Sequence, residues 1–359
     1  MEYPTELQSL LGAKHPVIQA PMAGATNADF VISVCEAGAV GSLGAAAIKP
    51  EKLEEAIRQI QAKTDQPFNV NLFSPIAEKA LPLLSSRPQI RYLLERYHEE
   101  LDLGEVLEPT AMYGPFEEQL DLLVGAAVPI ISFHFGVTEA IVRHAKSNSA
   151  IVMCTATSVL EAVDLERKGV DIVIAQGIEA GGHRGSYLNS YTDGLTGLIA
   201  LLPQIKDSVK VPVVAAGGIM DARGIIASLA SGAAGVQMGT AFLGCDEAPV
   251  SRVWKDKLEE TYPEQTRITD MISGRHARGI ANRLMSDLES TDESPLDYPA
   301  QYSVSRAVRE YAHRDGDAEL MVMWAGQGAR LVKRAPVSDF VGQTMKDVIG
   351  FFSEEKQTE

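Results

Sequence analysis

Between residues 16 and 240 the chain alternates short apolar, β-branched runs with amphipathic helical segments, and this rhythm limits the fold more than any other feature. Strands are expected at 16–19, 39–43, 68–72, 129–133, 150–154, 170–175, 211–216 and 235–238. Helices are expected at 28–37, 50–63, 116–125, 138–147, 158–168, 195–205 and 221–230. Pro50 suits a first helical turn, Ser158 with Glu161 reads as a capping box, and Asp221 can cap the helix that follows it. A strand–helix–strand rhythm means parallel strands with helices packed outside them. Eight such strands are the number that closes a (β/α)8 barrel. The main alternative, a doubly wound open sheet, usually carries a glycine-rich fingerprint after its first strand, and QAPMAGAT at 19–26 has none. The expected fold class is therefore α/β, a (β/α)8 TIM barrel over 1–244. An insertion at about 74–115 follows the third strand, where the rhythm loosens into proline-rich and charged helical pieces. From 245 to 359, charged segments without a clear strand read as a helical C-terminal extension, a lid packed on the barrel.

The 359 residues are 45% hydrophobic, enough to bury a large core. A formal charge of −16 opposes binding to phosphate-rich nucleic acid. The first 13 residues carry no apolar run between basic flanks, and no later stretch is long and apolar enough to span a bilayer. A soluble, cytoplasmic protein acting on small molecules is expected. Cys35, Cys154 and Cys245 lie far apart, and neither they nor the seven histidines show metal-ligand spacing. Reduced cysteines filling the core, with no metal, follow from that.

AQGIEAGGHRG at 175–185 puts one histidine just beyond the sixth strand. Gly181 and Gly182 let the backbone bend or approach a ligand closely, so His183 stands on a loop leaving a strand end. In a (β/α)8 barrel that edge is where active sites are built, and imidazole titrates near neutrality. The plainer reading is a flexible turn with an exposed imidazole. His134, in SFHFG at the end of the fourth strand, points to the same mouth as a candidate substrate ligand, or is a core histidine between Phe133 and Phe135. Tyr298, Tyr302 and Arg306 are spaced to share one helix face over the pocket, although a solvated face is the better reading. VPVVAAGGIMDARG (211–224) and GAAGVQMGTAF (232–242) each run from strand through a small-residue turn to a helix start. Free backbone N–H groups and positive helix ends there suit a phosphate, with Gly217, Gly218, Gly239 and Thr240 around it.

Six motifs in this order, QAPMAG (19–24), NVNLF (69–73), AQGIEAGGHRG, AAGGI (215–219), QMGTAF (237–242) and WAGQGA (324–329), resemble the nitronate monooxygenase family, formerly called 2-nitropropane dioxygenases. The likeness runs through most of the chain and extends to the flavin-containing enoyl-acyl carrier protein reductases of the same FMN-dependent barrel superfamily. It implies an enzyme that binds FMN and oxidises alkyl nitronates, such as propionate 3-nitronate, with dioxygen to a carbonyl compound and nitrite. The alternative it implies is an NAD(P)H-dependent FMN reductase of an enoyl thioester or a quinone. A flavin-binding protein without catalysis is the third reading. Matched residue by residue, the resemblance implies FMN against the backbone of Pro21, Met22 and Ala23, with Asn71 and Gln176 as polar contacts. Gly181 and Gly218 would lie along the cofactor, and Gln237, Met238, Gly239 and Thr240 at its phosphate end. His183 falls on the family's catalytic histidine, as a base toward a neutral nitroalkane or a hydrogen-bond partner of a nitronate. The chain departs from the family pattern at Thr26-Asn27, where a Thr-Pro pair is frequent, and at Trp254, where some members carry tyrosine.

Overall fold

The computed structural model describes residues 5–75, 81–110, 115–188 and 190–355. Six strands come first, β1 (Val17–Gln19), β2 (Gly41–Gly44), β3 (Phe68–Phe73), β4 (Ile130–His134), β5 (Ile151–Ala156) and β6 (Ile172–Gln176). A two-residue strand, β7 (Gly182–His183), precedes β8 (Val213–Ala216), β9 (Gly235–Met238), β10 (Thr266–Thr269) and β11 (Ala277–Ile280). Eight of them form one parallel sheet in the order β1-β9-β8-β6-β5-β4-β3-β2. The ring closes where Ile18 bridges Val40 and the Gln19 N–H donates to the Val40 carbonyl at 2.9 Å. This is the TIM-barrel architecture expected from the alternation.

Side chains alternate along each strand. Val70, Leu72, Ile131, Phe133, Val173 and Val236 face outward into the main core. They meet the helix layer, which comprises α2 (Ala28–Glu36), α3 (Pro50–Lys63), α5 (Phe116–Gly125), α6 (Glu139–Ala145), α7 (Val159–Arg167), α8 (Leu198–Ser208) and α9 (Ala222–Ala230). Pro50 opens α3, and the Asp221 side chain accepts from Arg223 N–H to cap α9. Ser158 caps α7, but Glu161 does not complete a capping box. Its buried carboxylate accepts instead from the Thr157 N–H (2.7 Å) and hydroxyl (2.8 Å) and from the Tyr187 N–H (2.7 Å), tying down the loop beyond β7.

The bottom of the barrel is plugged by α1 (Glu6–Leu11), whose Leu7 and Leu11 pack with the inward-facing Ile18, Ile130, Met153, Ile172 and Val214. Plugging that end leaves the C-terminal mouth as the place for a site. The insertion carries α4 (Pro88–Leu101), and the chain beyond β9 carries α10 (Thr240–Leu243), α11 (Arg252–Glu260), α12 (Arg283–Glu289), α13 (Ala300–Val304), α14 (Arg306–Asp315) and α15 (Val337–Glu355). Insertion and extension share a second core, in which Ile90, Leu94 and Tyr97 meet Leu284, Leu288 and Val308.

Two features of the extension differ from expectation. It is not purely helical, because β10 and β11 form an antiparallel pair whose second strand takes β7 as its other neighbour. Nor does the chain leave the barrel for good at Gly244. Val337, Phe340, Val341 and Val348 of α15 return to the main core, where the helix packs against α9 and α2 and fills the eighth position of the outer ring. No helix among the described residues is long and apolar enough to cross a membrane.

Leu7 is 1% exposed in the plug, so Leu7→Ala is expected to lower stability by about 2–5 kcal/mol. Because the plug is remote from the mouth, cofactor content should not change. Urea unfolding and visible absorbance measure the two.

Candidate active site

The C-terminal ends of the strands open into a cavity of about 290 Å³. Of the expected cofactor contacts, Pro21, Met22, Ala23, Asn71, Gln176 and Gly181 line it, as do Gly217, Gly218, Gln237, Gly239 and Thr240. His134 and His183 line it too. Met238 does not. It is buried in the main core, because the two-residue period that turns Gln237 into the barrel turns its neighbour out. No Lys, Arg, Asp or Glu is among the described lining residues.

The cavity wall depends on glycine at specific points. Gly217 and Gly218 follow β8 with φ of 120° and 69°, conformations that side chains rarely adopt. A Cβ on Gly181 would stand 2.5 Å from the Ala325 carbonyl carbon and the Gly326 nitrogen. The GGHRG loop and the late WAGQGA segment therefore meet backbone to backbone. Gln327 N–H donates to the Glu179 carbonyl (2.9 Å), and Gly326 N–H donates to Thr240 Oγ1 (2.9 Å).

His183 is held from both sides. On the chain side, β7 pairs with β11, Ala277 opposite His183. On the barrel side, the His183 carbonyl accepts from Gln176 Nε2 (3.0 Å) and His134 Nε2 (3.1 Å). Gln176 Oε1 accepts the Gly185 N–H (2.9 Å), so both ends of that amide are engaged within the protein and it acts as a strut. His134 is similarly committed, its Nδ1 lying 3.1 Å from Thr155 Oγ1. Between the two clamped positions, the buried Arg184 donates to the carbonyls of Gly177 (2.5 Å), Gln176 (3.1 Å) and Gly194 (2.9 Å). The His183 Nε2 lies 2.9 Å from Ser273 Oγ, and Nδ1 makes no hydrogen bond to the described residues. Phe73, Phe135, Tyr298 and Trp324 surround the ring, with centroids 5.5–6.0 Å away.

This depth governs protonation. Burial, then the neighbouring His134 and Arg275, push the His183 pKa down to about 3. Burial also takes His134 to about 4, although its bond to the His183 carbonyl works the other way. Both imidazoles are neutral at physiological pH. The three cysteines are buried and unpaired, and burial raises their thiols to about 12, which removes them as nucleophiles.

Tyr298, Tyr302 and Arg306 do not share a helix face. The helix begins at Ala300, beyond Pro299, so Tyr298 lies outside it and packs on the His183 ring. Tyr302 lines the cavity, as does Trp254 from α11, while Arg306 is exposed and pairs with Glu310 at 2.7 Å. Ser273 was not singled out by the sequence reading, because a serine inside a charged, strandless-looking segment carries no periodic signal. Trp324 was visible only as part of the WAGQGA motif.

A closed barrel with an uncharged, glycine-walled cavity and a neutral histidine at its C-terminal mouth defines a TIM-barrel enzyme. The model of the nitronate monooxygenase family matches residues 5–347, and the chain belongs to that family. It is an oxidoreductase. A probable nitronate monooxygenase of Staphylococcus saprophyticus is 39% identical over 336 residues, covering 93% of this chain and 94% of that protein. Among solved structures, nitroalkane oxidase from Streptomyces ansochromogenes is similar with a TM-score of 0.89 and 33% identity, covering 97% of this chain and 99% of that one. FabK from Thermotoga maritima is similar at a TM-score of 0.78 and 28% identity, covering 99% and 100%.

The depressed histidines make an acid-stability prediction. In the unfolded chain both titrate near pH 6.5, so below that pH the unfolded state binds more protons than the folded one. Their contribution is present in full above about pH 6.5 and is lost as the pH falls toward 3–4. Urea midpoints are expected to fall between pH 7 and 5, above the range of most carboxylates, and His134→Gln is expected to flatten that slope.

Proposed function

We propose that the protein is an FMN-dependent nitronate monooxygenase that oxidises alkyl nitronates, propionate 3-nitronate among them, with dioxygen to a carbonyl compound and nitrite. The observation that supports this most is His183, a neutral imidazole whose Nδ1 has no partner among the described residues, on the wall of a glycine-lined cavity.

FMN fits the residues present. Gln237 Oε1 is buried without a hydrogen-bond partner and suits a ligand donor such as a ribityl hydroxyl or a ring N–H. With no cationic side chain among the described lining residues, backbone N–H groups of Gly218, Gly239 and Thr240 would hold the phosphate. Pro21, Met22 and Ala23 would back the ring, Gly181 and Gly217 would allow its close approach, and Asn71 would meet its polar edge. When bound, FMN supplies the redox chemistry between substrate and dioxygen. The chain's residues do the rest. His183 accepts the α-proton of a neutral nitroalkane, Phe73, Tyr298 and Trp324 exclude water around it, and His134 and Gln176 fix it through its own carbonyl. Both ring nitrogens of His134 have protein partners, so its part is positioning rather than substrate binding. Three buried, unpaired cysteines suit the reducing cytoplasm.

The purified protein is expected to be yellow, and a nitronate, but neither NADH nor NADPH, should bleach its visible band without oxygen. In air the same nitronate should drive oxygen uptake and nitrite release. Rapid bleaching by a nicotinamide without nitronate-dependent oxygen uptake would overturn the assignment in favour of an enoyl-thioester or quinone reductase. Colourless protein that takes up no flavin excludes both. His183→Asn is expected to keep FMN and to lose turnover of neutral nitroalkanes by about 10²-fold or more, far beyond its effect on preformed nitronates. Equal losses would mean a binding role.

A further inference from the structure

We propose that Ser273, on the turn between β10 and β11, holds the His183 ring as its Nε2–H tautomer and so makes Nδ1 the proton-accepting nitrogen of the site. This rests on the reading of His183 as the group that meets the substrate.

The turn is built tightly enough to aim one hydroxyl. Ser273 is 1% exposed, its N–H donates to the Asp270 carbonyl (3.2 Å), and Gly274 donates to the same oxygen (2.7 Å). Gly274 has φ +84°, and a Cβ there would stand within 3 Å of the Leu296 carbonyl oxygen and the Tyr298 nitrogen. The turn is thus packed against the segment that carries Tyr298, the residue stacked edge-on to His183. The backbone that carries Ser273 is thereby fixed beside the ring, with the hydroxyl 2.9 Å from Nε2.

The tautomer follows from counting protons. A serine hydroxyl has one proton and two lone pairs. Ser273 Oγ has three neighbours, the Arg275 carbonyl (3.0 Å), the Arg275 N–H (3.3 Å) and His183 Nε2 (2.9 Å). When the proton goes to the carbonyl, the two lone pairs receive the Arg275 N–H and an Nε2–H, and all four groups are satisfied. When it turns to Nε2, the carbonyl loses its donor. The first arrangement is the lower in energy because it alone leaves none of the four groups without a partner. A neutral imidazole protonated on Nε2 is bare on Nδ1, the nitrogen with no partner among the described residues.

This assignment defines the proton step. An α-C–H bond of a neutral nitroalkane breaks heterolytically, the proton passes to Nδ1, and the electron pair stays on the substrate as the nitronate. The imidazolium keeps its Nε2–H on Ser273 Oγ while the nitronate charge faces it. Burial that disfavours an isolated cation is then offset by an anion formed in the same cavity. Ser273 is a positioning residue, acting through His183 without touching the substrate.

The test uses the flavin-loaded protein labelled with 15N-histidine. Two-bond 15N–1H correlation of the His183 ring, identified by its loss in His183→Asn, is expected to show Nε2 protonated and Nδ1 bare at neutral pH. Ser273→Ala is expected to give a mixture of tautomers and to lower kcat/KM for nitroethane about tenfold or more, against less than about threefold for ethyl nitronate. Ser273→Thr, which keeps the hydroxyl, should restore both. Wild-type protein with Nδ1–H overturns the proposal, as does a folded Ser273→Ala enzyme with an unchanged nitroethane-to-nitronate ratio. Should Ser273→Ala fail to fold, the wild-type tautomer decides alone. Wild-type protein that turns over neither compound removes the proposed activity but leaves the ring assignment standing or falling on the spectrum.

Discussion

The carbonyl oxygen of His183 is where the two halves of the molecule are joined, and the site depends on it. Gln176 and His134 reach it from inside the barrel at 3.0 and 3.1 Å, while β11 pairs along the other edge of the same residue. A Gly-Gly-His loop left to itself would sample many conformations. Here the strut from Gln176 also takes the Gly185 N–H, so the chain is gripped on both sides of the buried Arg184. The freedom that glycine introduces is confined to Gly181, where close backbone approach needs it, and Gly182, whose φ of 71° needs it, and is removed at the residue that must be aimed. Holding a reactive group in one geometry before substrate arrives is the larger part of what a rigid scaffold contributes to catalysis.

The same region has an unusual charge balance. The molecule is strongly acidic overall, yet among the described residues Arg184, Arg275 and Arg278 have no carboxylate within salt-bridge distance. Arg184 and Arg278 are buried, and their protons go to carbonyls and to the Thr266 hydroxyl. Three cations held by neutral acceptors beside β7 make the local potential positive inside an otherwise negative field. That potential works in one direction on both partners of the proposed reaction. It adds to the burial that keeps the imidazoles of His134 and His183 neutral, and it favours an anionic nitronate over its neutral parent.

Legibility in the sequence followed the range of the interactions involved. The barrel was readable because each strand and helix announces itself within a dozen residues, and α3, α5 and β9 fall where their apolar periods place them. The same period, applied one step further, separates Gln237 from Met238, since adjacent strand residues cannot both face the cavity. Pro299 likewise marks why Tyr298 stands outside the helix that holds Tyr302. What could not be read were contacts across long stretches of chain. Ser273 reaches His183 over ninety residues, and α15 completes a helix ring that its own sequence, amphipathic like any other, does not mention.

That contrast also says which part of the molecule carries which property. The residues assigned to the cofactor, from Pro21 to Thr240, sit on the C-terminal parts of the barrel strands and the loops beyond them, and their motifs are local in sequence. The groups around the His183 ring that are not barrel residues, Ser273, Tyr298 and Trp324, come from the chain between β9 and α15, as do Tyr302 and Trp254 on the cavity wall. On the proposed reading, the barrel would hold the cofactor, while the extension would shape the space for the substrate and set how its proton is handled. Substitutions in the extension that spare its backbone bonds to the barrel, such as Gly326 to Thr240 and Gln327 to Glu179, are the ones that would change substrate without disturbing the cradle.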